Sequence, residues 1–121
     1  MCLITKEPSQ VAQEDITCYK VVNYVDDNKV LSFYLNFEYI LNKLYETNLL
    51  PIHNQDGDIC IENGFHSYRT IHRAIKNLVK YLQYKEYGCV VVECIIPKGA
   101  IFFQNDKYFA SNQIIIKTII Q

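Results

Sequence analysis

The sequence predicts an α+β domain: a mostly antiparallel, twisted sheet of five to seven strands with one dominant helix, about residues 69–84, packed on one face. Three observations predict it. Short runs rich in β-branched and aromatic residues recur along the chain, separated by turn residues. A sustained 3.6-residue apolar period stands out between Phe65 and Gly88. The 121 residues, half of them hydrophobic, suffice for one core and one domain spanning 1–121.

Residues 16–24 read as a strand that turns at Asp26-Asp27-Asn28-Lys29 and returns through residues 30–34. Phe37, Ile40, Leu41, Leu44 and Tyr45 have amphipathic helical spacing, but Phe37, Tyr39 and Leu41 also alternate, with Asn42-Lys43 as a turn pair. Residues 48–58 read as a polar loop, and 59–61 as a short strand. In the helix, Ile71, Ala74, Ile75, Leu78, Val79 and Leu82 hold one face, and Ser67 or Thr70 caps the first amides. Residues 89–96, apolar except for Glu93, suit a central strand. Pro97-Lys98-Gly99 turns the chain, 101–103 continue as strand, Asn105-Asp106 turns again, and 114–120 close the sheet.

A net charge of −1 argues against a dedicated nucleic-acid binder, which carries a basic stripe. No stretch reaches the ~18 apolar residues of a membrane helix, and the N-terminus lacks a leader-like core. Five cysteines in no CxxC pair (Cys2, Cys18, Cys60, Cys89, Cys94) read as reduced thiols in a cytoplasmic protein. Cys60, His53, His66 and His72 match no common zinc spacing, so no metal and no cofactor is expected. Ten Lys against two Arg, with sixteen Ile and ten Asn, point to an AT-rich genome, bacterial or viral.

The segment Asn63-Gly64-Phe65-His66-Ser67-Tyr68-Arg69 gathers ligand-binding side chains where a strand meets a helix and backbone amides favour an anion. The bland alternative gives Gly64 a left-handed backbone, Ser67 a cap, and His66 a buried carbonyl to satisfy. Tyr19, Lys20, Gly64, Phe65, His66, Ser67, Arg69 and Lys98 are the expected ligand-binding residues. Glu93 either faces solvent near a sheet edge, pairs with Lys20, or serves as a cleft carboxylate.

Phe37-Glu-Tyr39, Lys43-Leu-Tyr45-Glu46, Ile59-Cys-Ile-Glu-Asn-Gly64-Phe65-His66, Val91-Val-Glu93 and Phe109-Ala-Ser111-Asn-Gln-Ile114 together resemble an uncharacterised family of bacteria and phages with a Gly-Phe-His motif, over about residues 33–120. That family carries Gly where this chain has Asn42, which implies a turn there rather than a helix over 37–46. More loosely, Tyr19-Lys20, Phe65-His66-Ser67 and Ser111-Asn112-Gln113 resemble the ADP-ribosyltransferase fold. Lys20 replaces that fold's usual Arg or His, and Asn112 or Gln113 its catalytic acid.

The leading functional expectation is a phage- or bacterium-encoded ligand-binding protein, in the host cytoplasm if phage-encoded. It would sequester a nucleotide-derived signal without turnover. One alternative is an ADP-ribosyltransferase-like enzyme acting on NAD through His66, Ser67 and Glu93 or Gln113. Another is a protein–protein interaction module that inhibits a host protein or forms a homo-oligomer through an edge strand at residues 114–120.

Overall fold

A computed structural model describes residues 3–32, 37–82 and 88–120. Along the described chain run β1 (Leu3–Thr5), β2 (Gln10–Val11), β3 (Ile16–Asp26), β4 (Lys29–Leu31), β5 (Glu38–Ile40), β6 (Leu44–Glu46), β7 (Ile52–His53), β8 (Ile59–Ile61) and β9 (Phe65–Tyr68). They are followed by α1 (Ile71–Leu82), β10 (Cys89–Ile96), β11 (Ile101–Gln104), β12 (Tyr108–Ser111) and β13 (Gln113–Ile119).

The chain is mostly β, which corrects the expected five-to-seven-strand sheet dominated by a helix. Ten strands form one antiparallel sheet, and β1, β8 and β7 form a second of three. The helix begins at Ile71, two residues later than expected, because Arg69 and Thr70 turn the chain out of β9; positions 83–84 lie outside the described residues, as do 33–34 of the first hairpin. The undercount has a physical cause. Strands of two to four residues such as β2, β7 and β9 span too few positions for an alternation to register. In β9 both Phe65 and its neighbours on the opposite face are covered, so Phe-His-Ser-Tyr shows no clean polar side.

β3 organises the large sheet. It pairs with β10 from Ile16↔Ile96 to Asn23↔Cys89. Its other edge is divided: Tyr19 faces Tyr68 of β9, while Asn23 to Asp26 pair with β4. The strands β12 and β13 are separated by Asn112 alone, yet β12 pairs with β9 and β13 with β10. Since β9, β3 and β10 lie between them in the sheet, the sheet must roll on itself. Asn112 holds that bend: its amide donates to Ile101 O (3.0 Å), its Oδ1 accepts from Ile101 N (2.8 Å), and its carbonyl accepts from Thr47 N (2.9 Å).

Side-chain alternation then defines two faces of β3 and β10. Cys18 and Val22, with Val92, Cys94 and Ile96, point into the roll and meet Phe65, Phe102, Phe109, Ile114, Ile116 and Tyr39. Val21 and Val91 point outward and are covered by Ala74 and Leu78 of α1. The helix begins where Thr70 caps it, its Oγ1 accepting from Arg73 N (3.3 Å). Ile71, Ile75 and Val79, expected on the buried face, remain exposed. A third cluster, Leu3, Ile59, Ile61, Phe103 and Ala110, joins the small sheet to the large one.

The turn at residues 41–43 forms as the resemblance implies. Asn42 adopts φ 65°, and its amide donates to Ile116 O (2.7 Å), so the β5–β6 connection lies across β13. Strand β6 also covers Gln113 to Ile115, which makes this part of the C-terminal run an interior strand and not the open edge expected. The loop expected over 48–58 contains β7. Cys60 is disulfide-bonded, which corrects the reading of five reduced thiols; Cys18 and Cys94 are free, and they and Cys89 are buried.

Candidate functional site

The alternation that buries Cys18 and Val22 places Lys20, between them, on the inward face of the roll. The residue is half-buried, and its ammonium donates to the carbonyl of His66 on β9. Its Nζ lies 6.0 Å from the ring centroid of Tyr39, a residue only 4% exposed. No carboxylate pairs with it among the described residues. Burial draws the Lys20 amine below the ordinary lysine value, while Cys94 and Cys18 work in the opposite direction.

Ser67 is two positions along β9 from Phe65 and shares its inward direction. Its hydroxyl is buried and meets no oxygen or nitrogen partner within hydrogen-bonding geometry; its one polar interaction is a weak one toward the Cys18 sulfur, whose ionisation it favours. Buried hydroxyls are nearly always satisfied, so an orphan beside an ammonium with no carboxylate partner marks polar capacity that the protein's own groups leave unused. Cys18 and Cys94, directly opposite one another on β3 and β10, complete the floor. An aromatic wall stands over it: Tyr39 meets Tyr45 edge-on at 5.2 Å and Phe37 at 4.9 Å, and contacts Phe65 at 6.3 Å. Phe37 is 45% exposed, so the wall reaches solvent. Burial pushes the Tyr39 phenol well above its usual range, so it stays neutral.

The expected ligand residues divide between the two faces. Lys20, Phe65 and Ser67 come together. Arg69 continues on the same side, its guanidinium 5.4 Å from the Phe109 ring centroid and its Nη1 donating to Asn105 O (2.8 Å). Tyr19 and His66 point the other way. Tyr19 packs with the cluster under α1, and His66 Nε2–H donates to Ile61 O (3.0 Å) between the two sheets. Burial lowers the His66 pKa, the Ile61 carbonyl raises it, and Lys20 lowers it again. Gly64 contributes backbone alone, at φ 90° against Leu49 and Ser111. Lys98 is exposed in the turn after Ile96, whose partner Ile16 begins β3, and its amide donates to Asp15 Oδ1 (2.8 Å); it does not join Lys20.

Neither carboxylate role for Glu93 is met at this site. It lies opposite Tyr19, whereas Val92 lies opposite Lys20, so Glu93 and Lys20 occupy opposite faces. Nor does it stand at an edge, since β10 runs between β3 and β13. Gln113 pairs with Glu46 at the start of β13, and its carbonyl accepts from Ser111 Oγ (2.9 Å). Sequence reasoning missed Tyr39, Cys18 and Cys94. The spacing Cys18-x-Lys20-x-Val22 carried the signal for one of them, because strand residues two apart share a face.

No family model, no curated protein and no solved structure matches the chain. The site therefore defines a class by its own chemistry: an interior cation and an orphan hydroxyl beside an aromatic wall, in a rolled β-sheet.

Proposed function

We propose that the protein binds a small anionic ligand of the nucleotide class at Lys20 and Ser67, without turnover. One observation carries the reading: a half-buried ammonium without a carboxylate partner stands beside a buried hydroxyl without a hydrogen bond. A phosphate oxygen would complement both, and the aromatic wall ending at exposed Phe37 offers a face for a base. Turnover finds no support, because Glu93 lies on the other face and Gln113 carries an amide in place of an acid. A phage- or bacterium-encoded protein that sequesters a host signalling nucleotide fits this chemistry. The free thiols Cys18 and Cys94 support a cytoplasmic setting, and the Cys60 disulfide weighs against it. No helix among the described residues is long and apolar enough to cross a membrane.

Thermal melts against NAD, ADP-ribose, cyclic dinucleotides and inorganic pyrophosphate test the proposal. Saturating ligand adds about 2.7–4.1 kcal/mol at 100–1,000 times its dissociation constant. Lys20→Met and Ser67→Ala should each shrink the shift. No stabilisation by any of these compounds, or a shift that Lys20→Met leaves intact, overturns the reading.

A further inference from the structure

We propose that Cys18 and Cys94 form a dithiol that hydroperoxides oxidise to an interior disulfide joining β3 to β10. The two residues are direct antiparallel partners, and both face the interior of the roll. Directly opposed residues in such a ladder have Cα atoms about 4.5 or 5.5 Å apart, according to the type of pair. Both separations lie inside the roughly 4.4–6.8 Å that a disulfide spans, so closure needs little backbone movement. Both thiols are free.

The surroundings divide the labour between them. The Cys94 thiol, the Ser67 hydroxyl and the Lys20 ammonium favour the Cys18 thiolate, against the opposing effect of burial. Burial and the neighbouring Cys18 push Cys94 up, with Glu93 adding to the effect, and its Sγ–H points at Val92 O (3.8 Å). With Lys20 two positions along β3 on the same face and Ser67 of β9 beside it, Cys18 is the nucleophile and Cys94 the resolving thiol. The Cys18 thiolate attacks one peroxide oxygen, the O–O bond breaks, and the leaving hydroxide takes a proton to become water. Cys18 is now a sulfenic acid. The Cys94 sulfur, giving up its proton, attacks the Cys18 sulfur and expels a second hydroxide as water. Two thiols are oxidised and one hydroperoxide is reduced. Lys20, half-buried on the same face, is the nearest polar point on β3 at which this interior meets solvent. Cys89 provides an internal comparison: it is buried on the opposite face of β10, and its register partner is Asn23.

The test uses the unmutated protein first. After brief exposure to hydrogen peroxide, differential alkylation and peptide mapping should show a Cys18–Cys94 linkage with the loss of two hydrogens. Dithiothreitol should reverse it, and Cys89 should remain a thiol. In Cys94→Ser, dimedone should trap a sulfenic acid on Cys18; in Cys18→Ser it should leave Cys94 unlabelled. The proposal is overturned if Cys89 oxidises as fast as the pair, if no linkage forms at a dose that oxidises glutathione, or if Cys94 is the labelled residue. Mapping the unmutated chain does not depend on either variant folding. Nor does it depend on the nucleotide reading, so each proposal can fail alone.

Discussion

Replacing Gly64 with alanine separates a structural role for the Gly-Phe-His unit from a ligand-binding one. Gly64 sits at φ 90°, where an L-residue costs about 1–2 kcal/mol. A Cβ there would collide with Leu49 Cδ2 and stand 3.1 Å from the Ser111 carbonyl. Leu49 must turn aside, which adds about 0.5–1.5 kcal/mol if its torsion leaves a staggered well. Ser111 yields little, since β12 is held between β9 and β11. Alanine's stiffer unfolded chain returns about 0.4–1 kcal/mol. The net loss is about 2 kcal/mol. For a chain of this length it lowers Tm by about 8 °C, on a scale of about 4 °C per kcal/mol. Gly57 is the control: its φ is 85°, but nothing lies within 4 Å of an added Cβ. Gly57→Ala should therefore lose only about 0.5–1 kcal/mol, the backbone cost less the unfolded-state return. Urea unfolding of both variants reads the difference. If the two fall equally, the crowding at Gly64 is not real and the corner packs otherwise than described.

His66 gives the fold a pH dependence of definite sign. Its folded pKa lies below the ordinary 6.5, so the unfolded chain takes up the proton first as pH falls. Its contribution is complete above pH 6.5 and is lost on acidification toward the folded value. His66→Gln should flatten that part of the stability curve; an unchanged acid limb refutes the assignment. Ile114 is wholly buried in the roll, and Ile114→Ala should cost about 2–5 kcal/mol. Half-buried Ile115→Ala, one position along, should cost markedly less in the same denaturant titration, and equal losses would mean that β13 is out of register.

The longer elements were legible because their patterns had room to develop. Eleven residues of β3, eight of β10 and twelve of α1 span several periods each. The turn at Asn42 was only the alternative reading, since the apolar spacing of residues 37–45 favours a helix; its φ of 65° decides for the turn. The ten-stranded sheet was not legible. Nothing in Ser111-Asn112-Gln113 says that the chain changes neighbours there while remaining extended, because that depends on β9 and β10 lying on either side of β3. The site suffered from the same dependence. Lys20 and Ser67 could be named from composition and position, but His66 and Tyr19 were assigned to the same face because the junction was read as strand-to-helix. Extending β9 to Tyr68 turns His66 away from Ser67. Tyr39 could be placed near Lys20 only once β4 and β5 were known to fold back against β3.

The rolled sheet also sets an order of events during synthesis. The eleven-residue β3 leaves the ribosome early, yet its partners on β10 lie downstream by 66 residues (Asn23↔Cys89) to 80 residues (Ile16↔Ile96). β13, which closes the roll, is made later still. Until β10 is made the chain can form the local β3–β4–β5 hairpins and little else of the interior, leaving Cys18, Lys20 and Val22 facing water. Such distant pairings slow folding, because loop closure precedes any gain from contact. A nascent chain stopped before β10 should therefore be protease-sensitive throughout, with no independently protected N-terminal half.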